Sequence, residues 1–253
     1  MEYNKGRLII LIIIIVLIIT VVLLATDTDT GDFKIKYNGN SKKYETSIKS
    51  GINRWSSIGT GGISLRFDTY SEGGGIVATT SRNLIRINEP TFISLSSFQK
   101  TLAIAHEVGH ALGIGVGWPN NRKSQDNVPY LDDGKYSKTA KSYVDNVRPS
   151  GQTIPGPPIH NQGEEGSKYV HWSSDATYGL QKDLMISTIS SSATVISIVD
   201  LTYLQEIGRS VDLTKAQSLN GTFFSLVAST VMGDTEVKNF CGCCGNVDEH
   251  EHH

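Results

Sequence analysis

The longest feature of the hydropathy pattern is residues 8–25, an almost unbroken run of Ile, Leu and Val that only Thr20 interrupts. A helix of about 18 such residues is roughly 27 Å long, close to the thickness of a bilayer's hydrocarbon core. A secretory signal core is usually about 7–15 residues and ends at a small-residue cleavage site. Leu23-Leu24-Ala25-Thr26 is a poor site of that kind. The pattern therefore predicts an uncleaved transmembrane signal-anchor at 8–25, with a cleaved signal as the alternative. Lys5 and Arg7 precede the run, and Asp27, Asp29 and Asp32 follow it. The basic side tends to stay cytoplasmic. Residues 1–7 then form a short cytoplasmic tail, and the rest of this single-pass protein faces the outside or a lumen. Cleavage would release it as a secreted form.

Beyond a polar linker at 26–32, the periodicity changes repeatedly. Residues 33–37 alternate apolar and polar positions and predict a strand. Tyr44, Ile48, Ile52 and Trp55 recur at three- and four-residue spacing, which predicts an amphipathic helix ending near Gly59. Strands are expected at 63–67, 76–79 and 84–87, with a turn at Gly73-Gly74-Gly75. Residues 98–112 have helical periodicity that stops at Gly113. A loop-rich stretch follows to about Val170, with a short helix expected at 137–147. Irregular segments of that length are unusual inside a domain and are often functional. A last helix is expected at 194–207, with Val195, Val199, Tyr203 and Ile207 apolar and Gly208 ending it. The elements predict an α+β domain over 33–212 and a tail over 213–253.

Composition removes some function classes. The formal net charge is -2, so no basic field points to nucleic acid. All three cysteines, Cys241, Cys243 and Cys244, lie in the tail, so no disulfide framework is expected within the domain. Three thiols are too few for a closed four-ligand zinc site unless His250, His252 or His253 contributes. Asn220-Gly221-Thr222 is a single glycosylation sequon.

The candidate chemistry lies in His106-Glu107-Val108-Gly109-His110, an H-E-x-x-H sequence inside the helix expected at 98–112. Histidines four residues apart share a helix face, with Cβ atoms about 5–6 Å apart. Both imidazoles can then reach one Zn²⁺ at about 2.0–2.1 Å. Glu107 is placed to accept a proton from a water that attacks a carbonyl, as a general base. The preceding Leu102, Ala103, Ile104 and Ala105 are helix formers apolar enough to bury the helix.

A catalytic zinc needs a third protein ligand and an open position. Gly113, three residues after the second histidine, opens the pattern H-E-x-x-H-x-x-G-x-x-H, yet Val116 stands where its third histidine would be. Outside the tail, the remaining imidazoles are His160, in a proline-rich loop, and His171. A carboxylate ligand from Glu206, Asp126, Asp132 or Asp175 is the other class.

Three stretches taken in order resemble metzincin zinc metallopeptidases of the leishmanolysin-like type, which carry a long insertion between the glycine and the third histidine. They are His-Glu-Val-Gly-His-Ala-Leu-Gly-Ile-Gly at 106–115, Gly-Glu-Glu-Gly-Ser-Lys-Tyr-Val-His-Trp at 163–172, and Asp183-Leu184-Met185 followed by a helix ending in Leu204-Gln205-Glu206-Ile207-Gly208. The resemblance spans roughly 33–212. It implies His171 as third ligand to one catalytic Zn²⁺, with His106 and His110, and Met185 as the Met-turn residue beneath it. It implies a zincin/metzincin-like catalytic domain with a twisted mixed sheet, an active-site helix and a Met-turn. On that fold, the strand near 84–88 would edge the cleft and could pair with an extended peptide. The Glu164-Glu165 pair and Ile207-Gly208-Arg209 after Glu206 depart from the pattern. The expected activity is zinc-dependent endopeptidase cleavage of a peptide or protein substrate, with Glu107 catalytic. The alternatives are a membrane-anchored binding or structural protein with a non-catalytic zinc site, and a zinc hydrolase with a carboxylate ligand or a non-peptide amide substrate.

Overall fold

The computed structural model describes residues 32–163, 167–189, 192–219 and 238–239. The expected anchor at 8–25, Glu164-Glu165, the Asn220 sequon and the three cysteines lie outside the described residues. Among those described, no helix is long and apolar enough to cross a membrane.

The architecture is α+β. In chain order the elements are β1 (Lys34–Tyr37), α1 (Glu45–Ser56), β2 (Ser64–Tyr70), β3 (Ala78–Ser81), β4 (Leu84–Asn88), α2 (Glu89–Ile93), α3 (Ser97–Leu112), β5 (Arg122–Gln125), β6 (Val128–Leu131), α4 (Ser137–Asn146), β7 (Thr188–Ile189), α5 (Ile198–Glu206) and β8 (Lys238–Asn239). A mixed sheet runs β1-β2-β4-β3. β1, β2 and β4 are parallel, and β3 is antiparallel to β4. β5 and β6 form a separate hairpin, and β7 pairs with β8.

The apolar stripe of α1 (Ile48, Ile52, Trp55) is fully buried and packs on α3. Trp55 Nε1 donates to the Ala105 carbonyl at 2.6 Å, which satisfies the indole's one polar group inside the core. Sheet residues Leu65, Phe67, Ile85 and Ile87 are buried as well. α3 is held between α1 on one side and β3 and β4 on another. Its start is fixed by a capping box, in which Ser96 accepts from the Gln99 N–H and Gln99 accepts from the Ser96 N–H.

Three expectations need correction. The strand at 84–88 is interior, flanked by β2 and β3, and the end strand beside α3 is β3. A two-residue turn at Arg82-Asn83, with Arg82 at φ 53°, folds β3 back on β4. The stretch read as loop before α4 contains the β5–β6 hairpin, joined through Asp126 and Asn127 at φ 53° and 64°. Two central residues with positive φ make the tight turn that matches strand twist, and Asp and Asn tolerate that region best after glycine. The last helix starts at Ile198 rather than 194. Ser197 and Asp200 form its capping box, while Val195 stays extended and bridges to Asp183.

Candidate metal centre

The site grows from the buried face of α3. His106 is 1% exposed and His110 is 3%, and both rings turn into the interior on one helix face. Gly113 ends the helix at φ 120°, and the reversal brings the Ile114 carbonyl to 2.8 Å from His110 Nδ1. From the far end of the stretch between His110 and His171, the chain returns as a short ladder. His160 N–H donates to the His171 carbonyl and Tyr169 N–H donates to the His160 carbonyl, each at 2.8 Å. Trp172 N–H then donates to the Met185 carbonyl at 3.0 Å. These bonds lock the His171 segment against the Met185 turn. Trp172 secures the crossing, its ring 3.9 Å from that of Trp118 and its Nε1 donating to Asp200 Oδ1 at 2.8 Å.

The three imidazoles converge. His106 Nδ1 donates to the Leu184 carbonyl, His110 Nδ1 to the Ile114 carbonyl and His171 Nδ1 to the Ser167 carbonyl, all at 2.8 Å. A carbonyl oxygen only accepts, so the proton of each neutral ring sits on Nδ1 and each Nε2 presents a lone pair. The three Nε2 atoms lie 3.1, 3.1 and 3.2 Å apart. None can donate to another, so the lone pairs repel unless a cation lies between them. A cation held by the three Nε2 atoms would engage all three lone pairs at once and would supply Lewis acidity there. Three buried histidines could thus hold a metal ion. An all-imidazole set suits zinc, copper, iron or nickel. Burial holds His106 down to about 4 and His110 to about 3, and pushes His171 well below the usual range. All three rings are therefore neutral at pH 7, the form that ligates.

Met185 is fully buried beneath α3. A Cβ added at Gly109 would lie 2.9 Å from Trp55 Cζ2 and closer still to the Met185 sulfur. A side chain at the motif's glycine would press on Trp55 and on the turn that carries Met185. Gly109→Ala should cost about 1–3 kcal/mol of stability through overpacking, read by denaturant unfolding. A variant as stable as wild type would show that Met185 and Trp55 yield without cost.

Glu107 is fully buried, and its Oε2 accepts from Thr80 Oγ1 of β3 at 2.6 Å. The same hydroxyl lies 3.1 Å from the Glu107 carbonyl. Burial raises the carboxyl to about 8, with the Thr80 hydroxyl acting in the opposite direction. No sequence pattern points to Thr80, because sheet pairing alone brings it to α3.

A second buried pair supports the Met185 turn. Asp183 Oδ1 accepts from the Met185 N–H at 2.7 Å, and Asp200 accepts from Trp172 Nε1 and the Ser197 N–H. Burial and the neighbouring Asp200 carboxylate push Asp183 well above the usual carboxylate range, and burial lifts Asp200 to about 6. A carboxyl raised in the folded state contributes its stability below its unfolded value, near 3.9, and loses it as pH rises through the folded value. Asp183→Asn mimics the protonated acid and keeps an oxygen for the Met185 N–H. Its unfolding free energy should fall less than that of wild type between pH 4.5 and 7.5. Parallel pH curves for the two proteins would contradict a raised Asp183 carboxyl.

The other ligand candidates lie elsewhere. His160 is half-buried in the ladder and outside the trio. Glu206 accepts from the Lys138 and Thr139 N–H groups and the Thr139 hydroxyl, capping α4. Asp132 pairs with Lys123 at 2.8 Å, Asp175 caps the short helix Ala176–Tyr178, and Asp126 lies in the β5–β6 turn. In comparisons with known proteins, no family model, no curated protein and no solved structure matches this chain.

Proposed function

We propose that this chain is a zinc-dependent endopeptidase with a metzincin-like catalytic domain, anchored through residues 8–25 so that the domain acts on peptides or proteins outside the cytoplasm or in a lumen. The observation that carries this reading is the convergence of the His106, His110 and His171 Nε2 atoms within 3.2 Å, next to a buried carboxyl one residue from the first of them. A zinc ion held there supplies Lewis acidity to a scissile carbonyl and acidifies water. Glu107 takes the proton of the attacking water on its carboxylate and returns it to the departing amine nitrogen. The Thr80 hydroxyl, 2.6 Å from Oε2, holds the carboxyl in place for both transfers. Met185 and Gly109 set the height of the motif helix over its support. β3, the end strand of the sheet and bonded to Glu107 through Thr80, is suited to pair with an extended substrate backbone.

One observation favours a second reading. His106, Glu107, His110 and His171 are all at most 3% exposed, as expected of a zinc ion that only braces the fold. The test is cleavage of a denatured protein by the full-length, zinc-loaded chain. Cleavage that a chelator stops and zinc restores supports the peptidase. A zinc-loaded chain that cleaves nothing favours the brace.

A further inference from the structure

The stretch between His110 and His171 holds two features that ligation alone does not need. Tyr169, two residues before His171, has φ 67°, a region that bulky residues rarely enter. The Arg122 guanidinium, at the start of β5, lies 3.8 Å from the centre of the Tyr169 ring.

The backbone of Tyr169 has a clear task. His171 Nδ1 reaches back four residues to the Ser167 carbonyl, so the chain must reverse across 168–170. Tyr169 supplies the left-handed residue of that reversal, with its N–H on the His160 carbonyl. On the other side, a Cβ at Gly115 would stand 3.1 Å from the Val170 carbonyl carbon and 3.2 Å from His110 Nδ1. The loop is thus seated against the turn that follows α3. A glycine at 169 would meet the backbone need without strain. The chain places tyrosine there instead, and strain of this kind persists where neighbouring groups hold it. Arg122 is such a neighbour. Its guanidinium also donates to the Pro119 carbonyl, which ties it to the segment leaving the metal site. The stack therefore joins the stretch after His110 to the stretch before His171.

We infer that Arg122 and Tyr169 form a clamp through which the β5–β6 hairpin positions His171 for the metal. They are positioning residues and touch neither metal nor substrate. The inference rests on the reading of His171 as a ligand.

The test is the zinc affinity of the full-length chain, by competition with a chromophoric chelator, for wild type, Arg122→Ala, Tyr169→Leu, the double variant and Tyr169→Phe. Tyr169→Leu keeps a side chain at that backbone position but removes the ring face. A partly exposed cation–ring stack predicts that each of the first two weakens zinc binding roughly two- to fivefold. The double variant should be no weaker than either single one, because both remove the same contact. Tyr169→Phe should bind as wild type. In excess chelator, Arg122→Ala should melt with wild type, because the clamp acts on the ligand rather than the core. Unchanged zinc affinity in Arg122→Ala, additive losses, or an equal fall in metal-free melting temperature would each overturn the clamp. If wild type holds no zinc, or His171→Ala holds it equally well, the ligand reading fails and takes the clamp with it. Zinc lost in His171→Ala but unchanged in Arg122→Ala overturns the clamp alone.

Discussion

Glu107→Gln should leave zinc bound and lower peptide cleavage by roughly 10²–10⁴-fold, the range a positioned general base supplies. The substitution is nearly isosteric. Its amide oxygen can still accept from Thr80 Oγ1, which now holds the carboxylate at 2.6 Å, so the side chain keeps its place on α3. The three Nδ1–H bonds that aim the imidazoles go to the Leu184, Ile114 and Ser167 carbonyls and do not involve Glu107. The change therefore removes the basic site and leaves the ligand geometry intact. Glu107→Ala should lose cleavage as well, but it opens a hole in a fully buried position and adds a packing cost. A Glu107→Gln protein that cleaves at the wild-type rate would end the general-base assignment. Loss of zinc with loss of cleavage would mean that the buried carboxyl braces the site.

Zinc added to chelator-stripped protein should raise its unfolding free energy steeply, and His171→Ala should abolish that gain. Binding to the folded state alone stabilises by roughly 4 kcal/mol when free zinc is a thousand times the dissociation constant. The site is prepared for it: three neutral rings meet with lone pairs facing inward, 3.1–3.2 Å apart. The measurement belongs above pH 7. In the metal-free protein burial depresses the histidines, His106 to about 4 and His110 to about 3. The unfolded chain takes up protons below about 6.5 while the folded one does not. Stability from these groups is present above that value and falls as pH drops toward 4. Equal zinc stabilisation of wild type and His171→Ala at pH 7.5 would remove His171 from the site.

The parts of the site that were legible in the sequence are those whose signal is local. Spacing of four puts His106 and His110 on one helix face, and the stripe Ile48, Ile52 and Trp55 marks α1, because both depend only on helix geometry. His171 had no local signal, since the residues alone left His160 and carboxylates open and only the order of motifs singled it out. The groups that aim the rings were not legible at all. Leu184, Ile114 and Ser167 act through backbone carbonyls, which every residue type carries. Thr80 reaches Glu107 only because β3 is the end strand beside α3, and pairing order is non-local. The β5–β6 hairpin did leave a sign in Asp126-Asn127, two residues that tolerate positive φ, between short strands lacking a clear apolar alternation. Val195 fits the helical period, yet the Ser197–Asp200 capping box sets the start of α5 at Ile198.

The most direct test is the metal content of the full-length protein, by elemental analysis, for wild type, His171→Ala and His160→Ala. A shared metal site built by His106, His110 and His171 predicts one zinc in wild type and in His160→Ala and none in His171→Ala. Zinc retained by His171→Ala would contradict it.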